Sequence, residues 1–81
     1  MKVVDYFGLE VCIPDWANYI AQDSNGELWY SNSKPIYLEW SGYWMNLHSD
    51  GVGFLMSGVT LDCTPKQSLM KAGEILNEYH N

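Results

Sequence analysis

The chain contains no arginine, and its cationic side chains are four lysines spread from one end to the other. Arginine is the usual side chain for gripping phosphate and for reading guanine, and a clustered basic stripe is the mark of a nucleic-acid-binding surface. Composition therefore predicts no direct binding to nucleic acid or to an anionic membrane. Ten carboxylates give a net charge of −6, which favours solubility or a basic partner such as a nucleic-acid-binding protein.

Cysteine is scarce, and long apolar runs are missing. Cys12 and Cys63 lie far apart, whereas small secreted domains that lack a core usually depend on several disulfides. No segment approaches the ~20 apolar residues of a membrane-spanning helix, and the first residues do not have the pattern of a signal peptide. These features predict a protein of a reducing cytoplasm.

Recognisable catalytic and metal-binding motifs are also missing. The run 48–50 (His-Ser-Asp) contains the residue types of a hydrolytic triad, but consecutive residues do not point at one another. Cys63 with His48 is a thiol–imidazole pair on paper and is the weakest of the hypotheses considered. Two cysteines and two histidines match a zinc ligand count, yet no two of them lie within four residues of each other. We expect no enzymatic activity, no cofactor and no metal.

Hydrophobic residues, by contrast, are abundant, at 47% of the 81 residues, and 15% of the residues are aromatic. A chain this short buries only about 60–65% of its unfolded surface, so it needs a rich core. We expect one domain over residues 1–81. The clearest local signal is the run 23–26 (Asp-Ser-Asn-Gly), a hairpin turn between the strand-favouring segments 17–22 and 27–32.

Further strands are predicted at 9–13, 36–40, 43–47 and within 54–61, followed by a helix. Thr64 is a natural N-cap, Pro65 fits the first helical position and Gln67 completes a capping box. Apolar residues then recur at helical spacing (Leu69, Ala72, Gly73, Leu76, Tyr79), which predicts a helix over 65–79. The predicted fold class is α+β: a small antiparallel β-sheet of 3–5 strands packed against one C-terminal α-helix.

The aromatic residues of the central region form the candidate binding site. If one strand face, with Leu28, Tyr30, Ile36, Leu38 and Trp40, packs against the helix, the side chains between them face away. Tryptophan and tyrosine are enriched at binding hot spots, and exposed apolar patches mark interaction sites. We therefore expect a partner-binding surface made of Trp29, Tyr37, Glu39, Tyr43 and Trp44. The alternative is that these large side chains fill the core.

The stretch 20–30, followed by Lys34-Pro35, Gly42-Tyr43-Trp44 and Ser68-Leu69, resembles small phage and prophage proteins with an Ala-x-Asp-x-x-Gly-x-x-Tyr hairpin. The resemblance spans about residues 14–70. This chain departs from the pattern at Gln67, where an acidic residue is expected, and in its many tryptophans. The resemblance implies no activity, but it implies the host bacterial cytoplasm and a role in host takeover or counter-defence.

Two functional hypotheses follow from these residues. The first is a small acidic phage-type protein that binds and modulates a host protein, most simply by inhibiting it. The alternative is a structural or assembly protein that associates with itself, for example as a homodimer. The first requires an exposed aromatic surface, and the second requires an exposed sheet edge or face.

Overall fold

The computed structural model describes residues 1–46 and 51–72. Their secondary structure is eight short strands and one 3₁₀ turn at Pro65–Ser68. The strands are β1 (Lys2–Tyr6), β2 (Leu9–Ile13), β3 (Tyr19–Gln22), β4 (Leu28–Ser31), β5 (Ile36–Leu38), β6 (Tyr43–Met45), β7 (Val52–Met56) and β8 (Met70–Lys71). They form three antiparallel sheets: the hairpin β1–β2, a four-stranded sheet in the order β7–β4–β3–β8, and the hairpin β5–β6.

The hydrophobic core lies between the β1–β2 hairpin and one face of the four-stranded sheet. Alternate residues of the first hairpin are buried, and they belong to one cluster with Ile20 and Leu28 of β3 and β4. The contributing side chains of the hairpin are Val4, Tyr6, Val11 and Ile13. Period-two alternation on paired strands puts all four on the same face, so this hairpin takes the covering position that the sequence assigned to a helix.

The predicted central hairpin is confirmed. β3 and β4 pair antiparallel, and the Asp23 N–H donates to the Glu27 carbonyl at 2.9 Å across the turn. Gly26 has φ +87, a conformation that a residue with a side chain rarely adopts. The turn chemistry of the Asn-Gly pair therefore decided this element locally.

The predicted α+β class is wrong, because the described residues are nearly all β and contain no helix of seven or more residues. The local signals of the helix start are present: the Gln67 side chain accepts a hydrogen bond from the Thr64 N–H at 3.2 Å. However, the chain makes only one 3₁₀ turn, and Leu69 is extended at ψ 126. Residues 73–79 of the predicted helix lie outside the described residues.

Pairing with β3 explains why the turn does not continue as a helix. The Gln22 N–H donates to the Ser68 hydroxyl at 2.8 Å, and the Ala72 N–H donates to the Asn18 carbonyl at 2.7 Å. An extended β8 thus covers the edge that β3 would otherwise leave open, and open edges carry unpaired backbone groups. Within residues 1–46 and 51–72 there is no helix long and apolar enough to cross a membrane.

Candidate binding hairpin and cavity

The β5–β6 hairpin has two chemically different faces. Cross-strand pairing sets Ile36 opposite Met45 and Leu38 opposite Tyr43, so these four side chains share one face. The pair between them, Tyr37 and Trp44, projects to the other face, where the two rings meet edge to face at 5.1 Å. We call the first set, together with Trp40 in the turn, the outer hairpin face.

The inner side of the hairpin is fixed to the four-stranded sheet by hydrogen bonds from Trp44. Its indole Nε1–H donates to the carbonyls of Gln22, at 2.9 Å, and Pro65, at 3.2 Å. Its backbone N–H donates to Asp23 Oδ1 at 2.8 Å. Three bonds from one residue to two separate segments hold the hairpin in one orientation.

Gly42 allows the turn of this hairpin to approach the sheet. Its carbonyl accepts a hydrogen bond from the Ser24 N–H at 2.9 Å, and its φ is +76. A Cβ atom built at this position would lie 2.7 Å from Ser24 Oγ, which is closer than real contacts allow. The turn therefore requires glycine both for its backbone conformation and for space.

The outer hairpin face is exposed to solvent. Trp40 is 85% exposed, and Ile36, Tyr43 and Met45 are each at least 40% exposed. Beside the turn, Glu39 forms an ion pair with Lys66 at 2.7 Å, and the hydrogen bond from Lys66 lowers the pKa of Glu39. The outer hairpin face is therefore an apolar surface with a charged rim.

The five predicted partner-binding residues lie in different surroundings. Tyr43 and Glu39 are exposed, with Tyr43 on the outer hairpin face. Tyr37 and Trp44 are half-buried on the inner side of the hairpin. Trp29 is half-buried on β4, with its ring edge to face against Phe54 at 5.3 Å. The structure therefore does not unite the five on one surface.

The assignment of Ile36 and Trp40 to a covered face is wrong, since both are exposed. It assumed one continuous sheet, whereas β5 and β6 form a separate hairpin whose inner side carries Tyr37 and Trp44. Sequence reasoning missed the exposure of Trp40. The signal was Gly42, whose position two residues later indicates that Trp40 lies in a turn rather than in a strand.

A cavity of about 250 Å³ lies between the inner side of the hairpin and the outer face of the four-stranded sheet. Its lining is mainly apolar and includes Ala21, Asp23, Trp29, Pro35 and Trp44. Asp23 is only 9% exposed, and burial raises its pKa above the usual range of an aspartate. The Trp29 indole N–H is buried and has no hydrogen-bond partner among the described residues.

The residues of the discarded catalytic and metal hypotheses are not brought together in the part of the chain that the structure describes. Cys12 is exposed and Cys63 is half-buried, and both are free thiols. His48 and His80 lie outside the described residues. Over residues 1–46 and 51–72, no three potential metal-ligating side chains of histidine, cysteine, aspartate or glutamate form a group.

Comparison with family models, with curated proteins and with solved structures finds no match to this chain. The resemblance of residues 14–70 to small phage proteins therefore stays a prediction. Functional interpretation depends on the hairpin and the cavity themselves.

Proposed function

We propose that this chain is a protein-binding module that docks the outer hairpin face onto a basic host protein in the bacterial cytoplasm and thereby modulates it. The observation that carries the proposal is the exposure of that face on a hairpin that is itself firmly anchored. Trp40 is 85% exposed, while Trp44 holds the same hairpin to the sheet through three hydrogen bonds.

Anchoring matters because a fixed binding surface loses little conformational entropy on association. Tryptophan and tyrosine are the side chains most often found as hot spots, and each offers a large contact area with few rotatable bonds. Trp40 and Tyr43 supply one of each on the outer hairpin face. A standard interface covers about 800 Å² on each partner, which is more than the outer hairpin face alone. The outer hairpin face therefore forms the centre of the interface, and polar residues around it form the rim.

Charge defines the chemistry of the partner. With ten carboxylates, four lysines and no arginine, the chain attracts a positively charged surface and repels an anionic one. Complementary charge of this kind accelerates association at low ionic strength and makes affinity dependent on salt. The partner we expect therefore combines a hydrophobic groove or patch with surrounding lysine and arginine residues.

A second candidate function, self-association, is favoured by strand β7. This strand lies at one edge of the four-stranded sheet, and its residues Val52 and Phe54 are exposed. Apolar edge strands readily pair with another copy of the same strand. Under this alternative, the chain forms a homodimer through β7, and the outer hairpin face is not required.

The proposal is tested by affinity capture from a bacterial lysate with three immobilised proteins: wild type, Trp40→Ala and Phe7→Asn. Phe7 is 52% exposed and lies in the β1–β2 turn at φ +49, a conformation that asparagine tolerates. Phe7→Asn is therefore the matched control, because it removes an exposed aromatic side chain away from the outer hairpin face. We expect one stoichiometric partner on wild type and on Phe7→Asn, released by salt and missing on Trp40→Ala.

With the purified partner, Trp40→Ala should weaken binding by about 2 kcal/mol, or roughly 30-fold, the usual loss at a hot spot. Its free energy of unfolding should change by no more than about 0.5 kcal/mol, because the side chain is exposed. Equal capture by Trp40→Ala and wild type would refute the use of the outer hairpin face. Capture of the chain alone would favour self-association.

A further inference from the structure

The cavity beneath the hairpin contains a carboxylate that forms no ion pair with another described residue. Asp23 is 9% exposed, and its side chain accepts one hydrogen bond, from the Trp44 N–H to Oδ1. Within residues 1–46 and 51–72 the ion pairs are Met1 with Asp15 and Lys66 with Glu39, so no lysine amino group lies within ion-pair distance of Asp23.

The structural role of Asp23 does not require its charge. An asparagine would offer the same oxygen to the Trp44 N–H, without the cost of burying a carboxylate. That cost is visible here, because burial raises the pKa of Asp23 and the nearby Glu27 raises it further. A buried carboxylate that lines a cavity and has no ion-pair partner among the described residues is a candidate binding group.

Aromatic side chains surround this carboxylate. Trp29 and Trp44 line the same cavity, and an indole is the aromatic group that attracts cations most strongly. The Trp29 indole N–H is buried and has no partner among the described residues, so Trp29 contributes its ring rather than its N–H to the wall of the cavity. The volume of about 250 Å³ corresponds to roughly eight water molecules of ~30 Å³ each, enough for the end of a lysine side chain or a small amine.

We propose that this cavity binds an alkylammonium group, with Asp23 as its counter-ion and Trp29 and Trp44 as its aromatic walls. The group belongs either to a free small amine or to a lysine side chain of a polypeptide. The proposal stands apart from the outer hairpin face and goes beyond protein docking there.

The test is an NMR titration of the intact chain at low salt and neutral pH, following the indole N–H signals of Trp29 and Trp44. The probes are n-butylammonium, Nα-acetyl-lysine methylamide and, as a neutral control of similar size, n-butanol. We expect the two ammonium probes to shift both indole signals in a saturable way, with n-butanol at least tenfold weaker. Comparable affinities for the two ammonium probes would indicate a free amine, and selective binding of the lysine derivative would indicate a polypeptide lysine.

Variants separate the role of the Asp23 charge from that of the aromatic wall. Asp23→Asn should reduce the affinity for both ammonium probes at least tenfold and leave n-butanol unchanged. Asp62→Asn, which removes the same charge at an exposed site, should have no such effect. Trp29→Leu, followed through the Trp44 signal, should weaken both ammonium probes more than n-butanol, because it removes an aromatic ring that attracts cations.

Acidification supplies an independent readout. Protonation of Asp23 removes the counter-ion, so the affinity for n-butylammonium should fall as pH decreases. Because burial raises the pKa of Asp23, this loss should begin at a higher pH than for an ordinary aspartate. Equal affinity in a folded Asp23→Asn protein, or equal binding of n-butanol and n-butylammonium, would overturn the proposal and leave only an apolar cavity.

Discussion

Tyr6 is a fully buried side chain that still makes a polar contact, since its hydroxyl donates to the Ser68 carbonyl at 2.6 Å. Burial raises the pKa of Tyr6 to about 12, from the usual 10.0. The neutral form is thus favoured in the folded state. The contribution of the neutral Tyr6 side chain to folding stability is fully present below pH 10 and is lost as pH rises towards 12.

We expect Tyr6→Phe to lower the free energy of unfolding at pH 7 by about 1–2 kcal/mol, because the buried Ser68 carbonyl loses its donor. Denaturant unfolding measures this loss. The variant should also lose stability less steeply than wild type from pH 10 upward, and its tyrosinate absorbance should lack the step near pH 12. Parallel loss of stability in both proteins above pH 10 would contradict this assignment.

Asp23 makes the stability of the fold depend on pH in the opposite sense to an ion-paired surface carboxylate. Its pKa is raised in the folded state, chiefly by burial, so folding favours the protonated form and stability falls as pH rises through its titration. We therefore expect Asp23→Asn to raise the midpoint of thermal unfolding at pH 7, whereas Asp62→Asn should change it little. A lower midpoint for Asp23→Asn would show that the carboxylate is structural, and would weaken the case for a binding role.

Within the elements, Gly53 of β7 lies beneath the ring of Tyr30, its cross-strand partner on β4. A Cβ atom at position 53 would lie 2.2 Å from the Tyr30 Cζ and hydroxyl oxygen atoms. We expect Gly53→Ala to destabilise the fold by about 1–3 kcal/mol, the usual cost of overpacking. In a double-mutant cycle measured by urea denaturation, Tyr30→Leu should remove most of the stability loss that Gly53→Ala causes. If Gly53→Ala destabilised the Tyr30→Leu protein as much as it destabilises wild type, contact with the Tyr30 ring would not be the cause.

The elements also show how far local sequence signals extend. Asn25 and Gly26 fixed the β3–β4 hairpin because the turn depends on local properties of these two residues: Gly26 takes the positive φ, and the Asn25 side chain accepts a hydrogen bond from the Glu27 N–H. Thr64, Pro65 and Gln67 correctly marked a helical start, but what followed was decided by two hydrogen bonds, from the Gln22 N–H to the Ser68 hydroxyl and from the Ala72 N–H to the Asn18 carbonyl. Such long-range pairing leaves no periodic trace in a segment of only a few residues, so β8 could not be predicted.

The region of the candidate site could be predicted from the sequence, but the direction in which its side chains point could not. The aromatic stretch was identified, and Tyr43 and Glu39 are exposed as the outward-facing interpretation requires. Trp40 was assigned to the wrong side because strand alternation was carried through the turn before Gly42. The cavity escaped prediction altogether, since Asp23 and Trp44 meet only when the β5–β6 hairpin folds over the β3–β4 hairpin.

For the whole molecule, the two candidate functions differ in oligomeric state. Docking through the outer hairpin face leaves the free chain as a monomer, and a net charge of −6 opposes contact between copies at low salt. We expect sedimentation velocity to show a monomer at all loading concentrations in low-salt buffer. A concentration-dependent dimer that Phe54→Lys abolishes and Trp40→Ala does not would instead establish association through the exposed β7 edge.

The hydrogen bond between Tyr6 and Ser68 joins positions 62 residues apart, and it has a consequence for how the molecule is made. A ribosome releases Tyr6 long before Ser68, so the buried Tyr6 hydroxyl has no acceptor until the 3₁₀ turn has been made. Folds dominated by such distant contacts form in milliseconds to seconds rather than microseconds. During that delay the core still lacks Ala72, and a nascent chain in this state is a natural client for chaperones.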